Sequence, residues 1–295
     1  MLKEVFADSV TVGAPPDPFN QAGQTWGQPP LRPDKLAELG YEPFRAVVRA
    51  ALRTGGGLRV DHIMGLFRLW WVPAGRSPKQ GSYVRYDHEA LVGILALEAY
   101  RADALIVGED LGTVEPWVRE YLARRGILGT SVLWFENDHF GNPLDAQYWR
   151  EYVMSSVTTH DLPPTAGYLA GDHIRLRDRL GLLTEPLEEE LANSRQEQAA
   201  WIAKLRQFGL LAQGESDPTE ILLAMHRYIV QTPSKVLNVA LTDAVGDRLT
   251  QNQPGTIDEY PNWRVPLSHP DGKPMLLAEI FESKLATQLA AIMNQ

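Results

Sequence analysis

The chain has 295 residues, 44% apolar and 22% charged, which is ordinary globular usage and enough to bury a sizeable core. A formal charge of −9 argues against a nucleic-acid or anionic-membrane partner, and the absence of cysteine excludes disulfides, thiolate metal sites and cysteine nucleophiles. The sequence holds no apolar run of about 20 residues, and its opening "MLKEVFADSV" is too polar for a signal peptide, so a cytoplasmic location is expected.

Residues 1–34 hold six of the 21 prolines and little periodicity, so this stretch reads as a structured loop. Asp34 is placed to cap a helix running to about Arg53, which "TGGG" would end. A strand is expected at 57–61, a helix at roughly 87–101 and a strand at 104–108, "ALIVG". Thr113 suits the N-cap of the helix "VEPWVREYLARRG", with Gly126 at its stop. "GTSVLWFE" and "YVMSSVTTHD" read as two more strands, and a fifth is expected near 235–241. The polar segment 172–230 reads as helical throughout, and no repeat or low-complexity linker breaks the chain.

Five strands separated by helices, four of them apolar at nearly every residue, predict a parallel sheet buried on both faces. The candidates are a doubly wound sheet and a (β/α)8 barrel. No Gly-rich phosphate loop follows the first strand, which weakens a nucleotide-binding reading. Five strands fall three short of a closed barrel.

The strand "GLRVDH" at 57–62 ends in an acid and a histidine. Arg59 and Asp61 are two apart, so on a strand they leave the same face, and the cation favours the ionised acid. Taken alone, this could be a structural ion pair. The pattern recurs, however: Asp61-His62, Glu109-Asp110 and His160-Asp161 each close an expected strand. In parallel α/β proteins the C-terminal strand ends carry the active site, because the βα loops gather there.

Two chemistries suit such acids. Carboxylates on neighbouring strands can hold a divalent metal. They can also perform glycosyl transfer, for which a retaining mechanism needs two carboxyls about 5–5.5 Å apart, one ionised and one protonated. Arg59 would keep Asp61 ionised, and desolvation after an apolar strand would raise Glu109 towards a working acid. Arg59 is awkward beside a metal ligand, and the aromatics in "GQTWG", "LWW" and "VLWFE" suit sugar faces better than a bare ion.

"GAPPDPFNQAGQTWGQPP", "LRVDHIMGLFRLWWVP", "LIVGEDLG", "TTHDLP" and "QNQPGT…EYPNWRVPL" closely resemble the amylomaltases, the 4-α-glucanotransferases of glycoside hydrolase family 77. The resemblance runs from about residue 9 to about 283. It implies a (β/α)8 TIM barrel of the α-amylase-like superfamily, represented by roughly its last five strands in one catalytic domain over 1–295. Residues 1–34 would form the active-site loop region and 172–230 a helical segment. It further implies disproportionation of α-1,4-glucans and maltooligosaccharides, with glucose as an acceptor, by a retaining double displacement that needs no metal and no organic cofactor. Asp61 would be the nucleophile, Glu109 the acid/base and Asp161 the transition-state stabiliser. Arg59, His62, Asp110 and His160 match positions that contact the sugar or hold the acids. Trp26 and Gln24 match the active-site loop, with Asp17 and Phe19 nearby on it, and Asn252 a further sugar-contacting position.

Structural readings stand beside these. Trp26 could anchor its loop, His62 could cap the following turn, and Asp110 could tie down the next loop. Trp70 and Trp71 are expected to pack under a loop, and His139 to sit on the surface. Family members carry an N-terminal portion with the first three barrel strands, so a complementing fragment or self-association is expected. The alternatives to a transferase are a metal-dependent barrel enzyme using the same acids, or an inactive truncated fragment that only binds glucan.

Overall fold

The structure is a computed structural model that describes residues 3–16, 23–112 and 114–295. The chain divides into two compact units, Met1–Thr130 and Ser131–Gln295. In chain order the first contains β1 (Val10–Ala14), β2 (Gln24–Thr25), α1 (Pro33–Glu38), α2 (Glu42–Leu52), β3 (Gly57–Val60), β4 (Arg68–Pro73), β5 (Ser82–Arg85), α3 (His88–Ala102), β6 (Leu105–Gly108) and α4 (Pro116–Ala123).

β3 and β6 pair in parallel, Gly57 opposite Leu105 through Val60 opposite Gly108. A parallel bridge from Val107 to Leu128 continues this row. Apolar residues of α2, α3 and α4 cover the pair: Val48, Leu52, Val92, Leu95, Val118 and Leu122 share one buried cluster with Ile63 and Ile106. Across α2 and α3, Arg49 donates two hydrogen bonds to Glu98, 2.7 and 3.0 Å long. Glu98 is only 4% exposed, so the paired arginine satisfies a carboxylate that burial would otherwise penalise.

The described part of residues 1–34, expected as a structured loop from its prolines, also contains strands. β1 and β2 lie in a four-stranded antiparallel sheet of order β2-β1-β4-β5. Val12 faces Trp71 and Gly13 faces Trp70, which in turn opposes Tyr83. Trp70 and Trp71 therefore belong to a sheet, and Trp70 also packs against a loop as expected: its indole N–H donates to the Pro78 carbonyl at 3.0 Å. The pairing between β1 and β4 joins segments about sixty residues apart, a contact that local periodicity does not encode.

The helix expected from Asp34 to Arg53 is two helices. The chain breaks at Leu39–Tyr41, where Tyr41 takes a left-handed φ of 59°, and Arg32 rather than Asp34 occupies the first N-cap. Asp87 caps α3 by accepting from the Ala90 N–H at 3.1 Å, matching the helix expected at 87–101. Thr113 lies outside the described residues; α4 starts after Glu115, whose side chain makes no cap.

At the division lies β7 (Gly129–Val132), followed in the second unit by β8 (Val153–Ser156), α5 (Thr165–Ala170), α6 (Asp172–Arg179), α7 (Leu187–Gln207), α8 (Pro218–Val230), β9 (Val236–Asn238), α9 (Leu241–Val245), α10 (Leu277–Phe281) and α11 (Lys284–Met293). The sheet order is β7-β8-β9, and β8 and β9 run parallel. The segment 172–230 is helical as expected, but in three pieces. Asp217 and Glu220 start the last of these with a reciprocal cap. Trp201 of α7 and Met225, Tyr228 and Ile229 of α8 are completely buried. Among the described residues no helix is long and apolar enough to cross a membrane.

Candidate active site

In the first unit, β3 delivers the Arg59–Asp61 pair that the two-residue period predicts. Arg59 Nη1 donates to Asp61 Oδ1 at 2.7 Å, and the Asp61 side chain is 75% exposed. The chain then turns sharply: His62 sits at φ 44°, a left-handed conformation costly for any residue with a Cβ. Two hydrogen bonds hold that turn against the end of β6. The His62 N–H donates to Glu109 Oε2 at 3.0 Å, and the Ile63 N–H to the Glu109 carbonyl at 2.9 Å. Gly108 makes the approach possible, since a Cβ there would lie 2.8 Å from the Ile63 side chain.

Glu109 is therefore gripped at both oxygens, the second accepting from the Leu111 N–H at 2.7 Å. Burial pushes its carboxyl above the usual glutamate value, and the negative charge of Asp61 pushes the same way. The two backbone donors and the Arg59 guanidinium oppose that shift without cancelling it. One carboxyl is thus biased towards holding its proton, while its electrostatic neighbour stays exposed beside a guanidinium.

The His62 side chain makes no cap hydrogen bond to the turn it begins. Its ring instead meets Trp26 edge-on, with centroids 5.5 Å apart. Trp26 is 39% exposed and its indole N–H donates to Gln24 Oε1 at 3.1 Å. Burial lowers the His62 pKa and the charge of Asp61 partly restores it. Trp26, Gln24 and His62 thus form one surface beside Asp61. Asp17 and Phe19 lie outside the described residues.

Asp110 goes elsewhere. It is 1% exposed, and its Oδ1 accepts from the Thr130 N–H at 2.8 Å. Arg119 Nε stands 3.3 Å from its Oδ2, so the carboxylate fastens β6 to the start of β7 and to α4. This arrangement fits the loop-tying reading rather than direct contact with a ligand.

In the second unit, His160 and Asp161 do not close a strand. β8 ends at Ser156, and the pair sits on the loop beyond it. His160 Nε2 lies 3.0 Å from Asp161 Oδ2, and Asn252 Nδ2 donates to Asp161 Oδ1 at 2.7 Å. Asp161 is 44% and His160 40% exposed in their side chains. Trp263, which residue-by-residue reading did not single out, tilts against His160 with centroids 5.4 Å apart. Its signal is structural: a tryptophan at φ 61° that is 63% exposed is a strained and solvated aromatic. In the sequence it was only one letter of "PNWRVPL". His139 is exposed, against Phe140.

A family profile described as 4-alpha-glucanotransferase matches residues 1–270. The chain belongs to this family. It is 66% identical over 294 residues to the 4-alpha-glucanotransferase of Mycobacterium tuberculosis, covering 98% of this chain and 41% of the relative. It is 32% identical to that of Haemophilus influenzae, covering 99% of this chain and 42% of the relative. Among solved structures, the amylomaltase of Corynebacterium glutamicum superposes with a TM-score of 0.95 at 47% identity, over 99% of this chain and 43% of that one. The amylomaltase of Streptococcus agalactiae, solved with acarbose, gives 0.73 at 19% identity over 99% and 53%, a likeness of fold. The chain thus spans about two fifths of the length of the curated relatives it matches. The α/β fold of the 4-alpha-glucanotransferase family follows from these matches, and the Asp61-His62, Glu109-Asp110 and His160-Asp161 pairs all lie within the matched range.

Proposed function

We propose that this chain carries the catalytic acids of a 4-α-glucanotransferase that moves α-1,4-glucan segments between maltooligosaccharides, with glucose among the acceptors. The observation that carries this reading is the contrast between Glu109 and Asp61. Glu109 is half-buried with its pKa raised, while Asp61 is exposed and bonded to Arg59.

In the first step an Asp61 carboxylate oxygen attacks the anomeric carbon as the bond to the leaving sugar oxygen breaks. Glu109 gives its proton to that oxygen, and a glycosyl ester remains on Asp61. In the second, Glu109 takes the proton of the acceptor 4-hydroxyl, which attacks the anomeric carbon and releases Asp61. Two inversions at one carbon give net retention. Asp161, held by Asn252 and His160, is assigned the stabilisation of positive charge on the ring at the transition state. Arg59, Trp26, Gln24 and Trp263 are read as sugar contacts. We read the parallel pairs β3–β6 and β8–β9 as strands of a (β/α)8 barrel.

Incubation of the purified protein with maltotriose tests the proposal. Longer oligosaccharides appearing together with glucose, undiminished by a chelator, are the expected result. Glucose and maltose alone would mean hydrolysis, and loss of activity on chelation would return the acids to a metal.

A further inference from the structure

The segment "LTDAVGD", which is short α9 and the residues just after it, presents two aspartates that the proposed chemistry does not use, and both are completely buried. Asp243 reaches the first turn of α5. Its Oδ1 accepts from the Thr165 N–H at 2.7 Å and its Oδ2 from the Thr165 hydroxyl at 2.6 Å. Pro164, the N-cap of α5, makes no side-chain cap of its own, so the carboxylate from α9 supplies it. Two prolines lead back from Thr165 to the His160-Asp161 loop. That loop is closed on itself by the Thr158 hydroxyl, which donates to the Pro163 carbonyl at 2.8 Å.

Asp247 points the other way. It accepts from the Leu249 N–H at 2.9 Å, the Ser268 N–H at 3.1 Å and the Ser268 hydroxyl at 2.6 Å. These bonds fix the start of the segment that carries Asn252. The two braced segments also touch directly: a Cβ on Gly167 of α5 would lie 2.5 Å from the Arg248 carbonyl oxygen. Beside Asp243 stands His226, also fully buried, with its Nδ1 2.9 Å from the Leu222 carbonyl and its Nε2 3.8 Å from Asp243 Oδ2.

Burying two carboxylates is costly unless each is well paired, so their place in α9 and just beyond its end calls for a reason beyond packing. Asp243 holds the segment behind Asp161, Asp247 holds the segment behind Asn252, and the bond between those two residues closes the circuit. We infer that Asp243 and Asp247 are positioning residues that set the Asp161–Asn252 hydrogen bond, one from each side, for glucan transfer. The inference rests on the role assigned to Asp161 above.

The test compares maltotriose kinetics, thermal melting and amide hydrogen exchange in the 295-residue protein and its variants. Asp243→Asn and Thr165→Val should each lower kcat by about 10–100-fold with KM nearly unchanged, the effect of slightly misplacing a group that acts in the transition state. Thr165→Ser, which keeps the hydroxyl, should restore kcat. Exchange should quicken at 158–165 in Asp243→Asn and at 248–253 in Asp247→Asn, each leaving the other segment as it was. Unchanged kcat in Thr165→Val and Asp243→Asn would overturn the inference, as would a fall in kcat that tracks melting temperature and that Thr165→Ser fails to restore. Should Asp243→Asn not fold, the Thr165 pair and Ser268→Ala decide the matter. Asp161→Asn is the reference: if it keeps full turnover, the assignment of Asp161 fails whatever Asp243 does. If it loses turnover while the bracing variants keep theirs, only the positioning inference fails.

Discussion

The loop after β3 and the loop after β8 each set an aspartate beside a histidine, yet they hold them by opposite means. In Asp61-His62 the aspartate is paired with Arg59 of its own strand, two residues back. The histidine is swung away by its left-handed backbone to meet Trp26. In His160-Asp161 the histidine bonds the aspartate directly, and the second partner, Asn252, comes from 91 residues away. The first carboxylate is left 75% exposed on one guanidinium, free to move towards an electrophile. The second is held at both oxygens, as suits a group that stabilises charge without forming a bond. The same two residue types, in reversed order, are held in two different ways because different neighbours surround them.

Substitution of the acids themselves tests that contrast with the largest expected effect. Asp61→Asn should reduce transfer by about four orders of magnitude or more, since an amide cannot form the glycosyl ester. Azide should not restore it with the original stereochemistry. Near-normal glucose release from maltotriose by Asp61→Asn would remove the nucleophile from the loop after β3.

Partner substitutions should sharpen the comparison. Arg59→Lys loses the planar guanidinium fork, and Asn252→Ala loses the long-range hydrogen bond; each should lower kcat by about 10–100-fold. The distinction lies in the pH profile. Arg59 faces Asp61 and also lowers the Glu109 pKa, so Arg59→Met should move the alkaline limb of activity upward, whereas Asn252→Ala should leave it in place. An equal displacement in both variants would mean that the two loops share one electrostatic environment.

A smaller effect separates the adjacent acids of the β6 loop. Asp110→Asn leaves Arg119 without its carboxylate and puts an amide beside the Thr130 N–H, so urea denaturation should show a loss of about 1–3 kcal/mol. Glu109→Gln should cost less stability. It should instead slow glycosylation most for poor leaving groups, which need protonation.

The smallest effect is a slope. Because the folded pKa of Glu109 is raised, the native state holds that proton more tightly than the unfolded chain. Its contribution is favourable below the ordinary glutamate value of about 4.5 and is lost as pH rises through the folded value. Wild type minus Glu109→Gln, measured as the urea midpoint, should therefore fall across that window and flatten above it. A difference that rises with pH would mean that the backbone donors outweigh burial.

Local rules determined a good part of this protein. Side-chain period placed Arg59 and Asp61 on one face, apolar runs marked β3, β6, β7, β8 and β9, and a buried strand ending in Glu109 foretold its raised pKa. These follow from neighbours in sequence, because period and burial act over a few residues. Tertiary structure alone decided what needs two distant segments. It made residues 10–14 a strand against β4, where prolines had suggested a loop. It turned Asp110 inward to Thr130 and Arg119 while its neighbour Glu109 kept the loop. It brought Asn252 to Asp161, Trp263 to His160, and the buried Asp243 and Asp247 to the segments behind them. A hydrogen bond depends on tenths of an ångström between its ends, and no spacing rule carries that precision across 91 residues of chain.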